Sequence, residues 1–312
     1  MSFKEADVGV NLSFKEIDVP IVEDKDSSRR RLQEQIMKLG NSPEVRQMKG
    51  EPGLSLDPGP DKKIKNILLV KSPTTVWETN HLSISSGISE EVPEPLGLCY
   101  LAAVLRDNGY EPEIFDPHLE VYEEYRQSRD PELIKESVRK KFAQGGYDLV
   151  GVSSMYLYAY KWGHHICAAA KKANEDIPVV IGGGHPSVVL GETMKDENID
   201  YLIEGEGEIA FLALLHALNT SRTPKQMRQI PALLHRDNGQ VIHNERQDYI
   251  WDLDNIPFPA WDLINVDRYM NTYAEASSAR KKTLMMITQR GCPFKCTFCN
   301  VFESWGYRFR KR

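Results

Sequence analysis

The chain has 312 residues, 27% of them charged and 41% hydrophobic, a globular composition with room for about two domains. Its formal net charge of -6 argues against a general nucleic-acid or membrane-surface binder, and Arg308 to Arg312 is only a short basic patch. No run of about 18 apolar residues occurs and the polar N-terminus lacks the apolar core of a secretory signal, so no membrane span and a cytoplasmic location are expected.

Residues 1–62 read as a polar flexible extension with Gly and Pro near its end and one short helix around Arg30 to Leu39. Ser-Phe-Lys-Glu-Ala-Asp-Val at 2–8 recurs as Ser-Phe-Lys-Glu-Ile-Asp-Val at 13–19, two copies being too few for a solenoid. From Lys63 short apolar runs alternate with amphipathic segments, which predicts a doubly wound, Rossmann-like parallel α/β sheet. Strands are predicted at 66–70, 113–115, 148–153, 177–182 and 201–203, and helices at 95–108, 131–142, 161–174 and 206–219. In such a sheet ligands bind beyond the carboxyl ends of the strands. The loops that fall there carry Ser153, Ser154 and Met155, then Gly182, Gly183, Gly184 and His185, then Gly205, Glu206, Gly207 and Glu208.

Residues 223–281 form a connector in which Asp237-Asn238-Gly239 turns 232–236 back onto 241–244, followed by an extended segment at 254–261. A strand is predicted at 284–288, leading into Thr-Gln-Arg-Gly-Cys-Pro-Phe-Lys-Cys-Thr-Phe-Cys-Asn. There Cys292, Cys296 and Cys299 fall in a C-x-x-x-C-x-x-C spacing suited to one iron-sulfur cluster. With three thiolates instead of four, one iron stays open to a small molecule. A zinc knuckle needs four tetrahedral ligands, and no Cys or His follows Cys299. Cys99 and Cys167 sit in helical apolar patterns and are expected in the core.

The segment Arg290 to Cys299 resembles the cluster loop of radical S-adenosylmethionine (SAM) enzymes. The resemblance implies a 4Fe-4S cluster on Cys292, Cys296 and Cys299, SAM on the open iron, Phe298 near the SAM adenine, and a reductant such as flavodoxin or ferredoxin. Residues 63 to about 220, with Pro-Leu-Gly-Leu-Cys-Tyr-Leu-Ala at 95–102 and the three loops above, resemble the cobalamin-binding domain that precedes the barrel in one class of these enzymes. Ser153 and the Gly182-Gly183 pair stand where such domains carry Ser-x-Leu and Gly-Gly, with Met155 replacing the Leu. Ser154, Gly184, His185, Gly205, Glu206, Gly207 and Glu208 are the further candidate cofactor contacts. For the glutamates, a helix N-terminal charge cluster is an equally good reading. The Asp-x-His-x-x-Gly that ligates cobalt in many cobalamin proteins is absent after the first strand. Asp116, Pro117 and His118 imitate it after the second strand and read as a loop turn.

The resemblance implies a cobalamin-dependent methyltransferase acting on an unreactive carbon of a small-molecule, lipid or tetrapyrrole substrate. One SAM would methylate the cobalt and a second would give the substrate-activating radical. A radical SAM cyclase or rearrangement enzyme of tetrapyrrole or lipid metabolism, and a non-catalytic corrinoid carrier or sensor, stay open. The expected order is extension at 1–62, cobalamin-binding domain at 63–222, connector at 223–281 and the truncated start of a radical SAM β/α barrel at 282–312, with 305–312 leading into the next helix. About two hundred residues of barrel are expected beyond Arg312, so these residues alone are expected to be inactive.

Overall fold

Four short apolar runs and a more polar edge strand supply the parallel part of a seven-stranded sheet, in a computed structural model that describes residues 63–75, 92–220, 223–246, 249–276 and 284–312. The N-terminal extension, its repeat and the short helix around Arg30 to Leu39 lie outside the described residues. The strands are β1 (Asn66–Lys71), β2 (Glu111–Phe115), β3 (Leu149–Ser153), β4 (Val179–Gly182) and β5 (Tyr201–Ile203), followed by the hairpin β6 (Leu233–Asp237) and β7 (Gln240–His243). Their spatial order is β2-β1-β3-β4-β5-β6-β7, with β1 to β5 parallel and β6 and β7 antiparallel.

Strands covered on both faces read as continuous apolar runs, and β1 is such a strand. Its Ile67 and Leu69 face a core shared with Leu149, Val180 and Ile203, whereas Leu68 and Val70 face one shared with Val150, Val152 and Ile181. On the first face lie helices α1 (Leu96–Asp107) and, later in the chain, the one at Gly207–Asn219. The short helix α2 (Pro117–Glu120) follows β2. The second face is covered by α3 (Pro131–Gln144) and α4 (Tyr160–Ala173). The helix at Gly207–Asn219 is α5, and α6 (Val266–Ala276) and α7 (Val301–Trp305) follow.

Local signals fix the element ends. Asp130 caps α3 by accepting from Glu132 N at 2.9 Å, Pro131 starts it, and Gly145 closes it with φ +66°. In the hairpin Asn238 and Gly239 both take positive φ, as a two-residue turn matching the strand twist requires.

Three expectations are corrected. The predicted hairpin is not confined to the connector, because β6 pairs with β5 and extends the main sheet. Residues 284–288 form no strand. The next ladder is β8 (Gln289–Arg290), which pairs antiparallel with β9 (Arg310–Lys311). Within 305–312, Gly306 with φ +72° ends α7 and the chain returns as β9. Asp116 to His118 is the start of α2 rather than a loop turn, its first turn held by the Asp116 carboxylate accepting from His118 N and Leu119 N. His118 is buried, and its Nδ1 has no hydrogen-bond partner among the described residues. As expected, Cys99 and Cys167 are core residues, and burial pushes the Cys99 thiol up to about 12.

Candidate functional site

The loops leaving β3, β4 and β5 are threaded through one another by backbone contacts that exclude side chains. Gly183 takes φ +106°, and a Cβ there would meet Ser154 O at 2.6 Å, while one at Gly184 would meet Met155 O at 3.0 Å. Ser154 N donates to Gly182 O at 2.8 Å and His185 N to Ser154 O at 3.2 Å. Ser187, which the sequence did not single out, ties two loops together. Its hydroxyl donates to Gly183 O at 2.8 Å and accepts from Gly205 N at 2.9 Å.

Next to these loops a cavity of about 400 Å3 opens on the sheet face under α1 and α5. Leu69, Gly151, Ser153, Val180, Gly182 and Ile203 supply its sheet side, and Gly97, Leu98, Leu101, Gly207 and Phe211 its helix side. Gly183, Gly184, Gly205, Glu206 and Glu208 also line it. A Cβ added at Gly97 or Gly207 would meet nothing within 4 Å, so at both positions the missing side chain leaves open space beside the cavity. That is a cradle a side chain would fill, and it suits a bulky ligand with an apolar body.

Not every candidate faces it. Alternation along β3 sends Ser153 toward the cavity and Ser154 to the other face, where its buried hydroxyl has no hydrogen-bond partner among the described residues and packs near Gly163 of α4. His185 also stands off the cavity, its ring tilted against Tyr160 at 5.5 Å. Burial, helped by His164, lowers its basicity.

The glutamates of the β5 loop belong to a buried ionic network. Glu206 accepts from Arg290 Nη1 at 2.9 Å, from Arg310 Nη1 at 2.8 Å and from Ile250 N at 3.0 Å. Glu208 accepts from Arg290 Nη2 at 2.5 Å. Burial raises the Glu208 carboxyl, but Arg290 and then Arg310 outweigh it and hold the group below its ordinary value. Burial likewise opposes the charged Arg290, and Glu208 and Glu206 more than offset it. Glu204, beside them, accepts from Arg246 Nη2 at 2.6 Å, and Arg246 also donates to Glu303 O at 2.5 Å. The carboxylates were visible in sequence, but their pairing with Arg290, Arg310 and Arg246 was not.

Arg290 leads straight into the cysteine loop. Gly291 has φ +85°, and a side chain there would run into Arg308 O. Cys292 N donates to Gly306 O at 3.1 Å and Cys299 N to Cys296 O at 3.2 Å. The three thiols are free, Cys296 exposed and the others half-buried, and Phe298 is 92% exposed. Among the described residues no three Cys, His, Asp or Glu side chains are gathered for a single metal ion. A cubane cluster meets each thiolate at a different iron, so three separated soft donors on one accessible loop match its chemistry. Asn300, Val301, Ser304 and Trp305, which follow Cys299, form one wall of the cavity.

Comparison with known proteins agrees with this layout. A family model described as the B12 binding domain matches residues 89–215. An uncharacterized methyltransferase of Pyrococcus horikoshii is 30% identical over 249 residues, covering 80% of this chain and 48% of its own. An anaerobic magnesium-protoporphyrin IX monomethyl ester cyclase of Rubrivivax gelatinosus is 28% identical, covering 69% and 36%. The solved structure of the radical SAM methyltransferase TsrM from Kitasatospora setae, with cobalamin and a [4Fe-4S] cluster bound, superimposes with a TM-score of 0.55 at 18% identity, covering 80% of this chain and 43% of that one. The chain thus spans about half the length of the first of these relatives, or less in the others.

Proposed function

We propose that the chain belongs to the radical SAM proteins that carry a B12-binding domain, and that the whole protein is a cobalamin-dependent methyltransferase acting on an unactivated carbon. The observation that carries this reading is a shared wall. The helix leaving Cys299 closes the same cavity that the loops of β3, β4 and β5 open, so a ligand of the sheet and a cluster on the loop would face one another.

In this reading Cys292, Cys296 and Cys299 hold the cluster, and Phe298 covers the adenine of SAM bound at the open iron. Gly97, Gly151, Gly182 and Gly207 let the corrinoid tail approach the backbone, with Ser153 offering its hydroxyl. Gly183, Gly184 and Gly205 shape the loops around it. Glu206 and Glu208, which line the cavity, also hold the two modules together. His185 is placed to support the loop through Tyr160. Bound together, the cofactors supply radical generation from SAM and a transferable methyl group. The division into a cobalamin domain at 63–222, a connector at 223–281 and the beginning of a barrel at 282–312 belongs to the same proposal, as do a small-molecule substrate, a flavodoxin or ferredoxin reductant and a cytoplasmic location. Among the described residues no helix is long and apolar enough to cross a membrane.

A second reading keeps the cofactors and changes the outcome. The cyclase relative favours ring formation on a tetrapyrrole in place of methyl transfer. Both are tested by giving the reduced full-length protein SAM without substrate and measuring 5'-deoxyadenosine. Release that disappears in a Cys292→Ala, Cys296→Ala, Cys299→Ala variant is expected, and corrinoid binding with no SAM cleavage would instead indicate a corrinoid carrier.

A further inference from the structure

We propose that Arg290 is a positioning residue that, clasped by Glu206 and Glu208, fixes the separation between the corrinoid cavity and the cysteine loop; this inference rests on the two-cofactor reading.

The clasp joins parts of the chain far apart in sequence. Arg290 Nη1 donates to Glu206 at 2.9 Å and Nη2 to Glu208 at 2.5 Å, from 84 and 82 residues away. Arg310, across the ribbon from Arg290, donates to the same Glu206. Both strands that bracket the cysteine loop are therefore pinned to the first turn of α5. The side chains of Arg290, Arg310, Glu206 and Glu208 are 6%, 1%, 7% and 7% exposed. Arg290, two residues before Cys292, lines the cavity together with Glu206 and Glu208. The clasp thus lies where the two proposed cofactor sites meet.

Its composition argues for placement over local stability. Glu206 occupies the N-cap position of α5, yet its carboxylate makes no cap hydrogen bond and is turned outward to the arginines. A buried ion pair is weak grounds for stability, since apolar residues of like volume often do as well, but its directional bonds admit one register. A planar guanidinium spans two carboxylates with separate nitrogens, which a lysine ammonium cannot reproduce. A second tether acts from α1, where Tyr100 OH donates to Ile287 O at 3.3 Å and the ring lies 5.7 Å from the Arg290 guanidinium.

The test compares the full-length wild type with Arg290→Lys and, as a milder variant should that one fold poorly, Glu208→Gln. The first readout is the electron-spin relaxation of cob(II)alamin with the cluster reduced and oxidised. The wild type is expected to show faster relaxation with the reduced cluster. The variants should load both cofactors to wild-type stoichiometry and lose that enhancement. The second readout is hydrogen exchange of the cofactor-free protein. Residues 284–312 should exchange up to about a hundredfold faster while β3 and β4 keep their protection, the local opening expected when a buried pair is broken. Variants that keep wild-type relaxation enhancement and exchange would overturn the proposal, as would a loaded wild type without enhancement. A wild type that binds only one cofactor or neither overturns the two-cofactor reading itself, and shows it before any substitution is made.

Discussion

Gly97 and Gly207 stand in the first turns of α1 and α5 with open space where a Cβ would project. Replacing Gly97 by Leu therefore tests the ligand without testing the fold. Helix propensity should leave stability equal or better by about 0.5–1 kcal/mol, while the added side chain obstructs the cavity. Thermal unfolding and corrinoid titration are expected to separate, with melting kept and binding lost. Gly183 is the opposite case, since any side chain there suffers both a left-handed φ and a 2.6 Å approach to Ser154 O. Gly183→Ala is expected to lower stability by roughly 1–3 kcal/mol, read by denaturant unfolding. His118 carries a pH signature. Burial holds its ring down at about 4 against the ordinary 6.5, with Asp116 opposing and Lys71 assisting. The unfolded chain thus binds the extra proton first. The stability from keeping this ring neutral is complete above about 6.5 and falls as pH drops toward 4, by up to roughly 3 kcal/mol. His118→Phe should flatten that part of the stability-pH curve, and an unchanged slope would assign it to another group.

At the scale of elements, what could be read from the sequence follows from how local each signal is. β5 was legible to the residue because Tyr-Leu-Ile is bounded by turn formers, and α3 was legible at its start, Pro131, although it runs to Gln144, two residues past the expected end at 142. The hairpin turn was legible from Asn238-Gly239, but its docking onto β5 was not, since pairing with a distant strand leaves no local pattern. β8 and β9 are two residues each and are fixed by carboxylates some 80 to 100 residues away, so neither periodicity nor propensity marks them. The stretch Leu284 to Thr288 read as a strand, yet Met286 is 77% exposed and these residues form no strand among the described residues. In the site, the glycine loops and cysteine spacing were legible because their chemistry demands particular residue types. Which of Ser153 and Ser154 faces the cavity depended on where β3 begins, a register the sequence alone leaves open by one residue.

For the whole molecule, a doubly wound sheet brings three loops to one edge, and the chain returns after β7 to lay the cysteine loop against that edge. The central claim is that one chain holds corrinoid and cluster on facing sides of a shared cavity. The direct measurement is anaerobic reconstitution of the protein with iron, sulfide and hydroxocobalamin, followed by absorption and electron paramagnetic resonance spectra beside the Cys292→Ala, Cys296→Ala, Cys299→Ala variant. The account predicts one corrinoid in both proteins and a 4Fe-4S signal only in the wild type. A cluster signal that survives loss of the three cysteines, or a wild type that takes up no corrinoid, would contradict it.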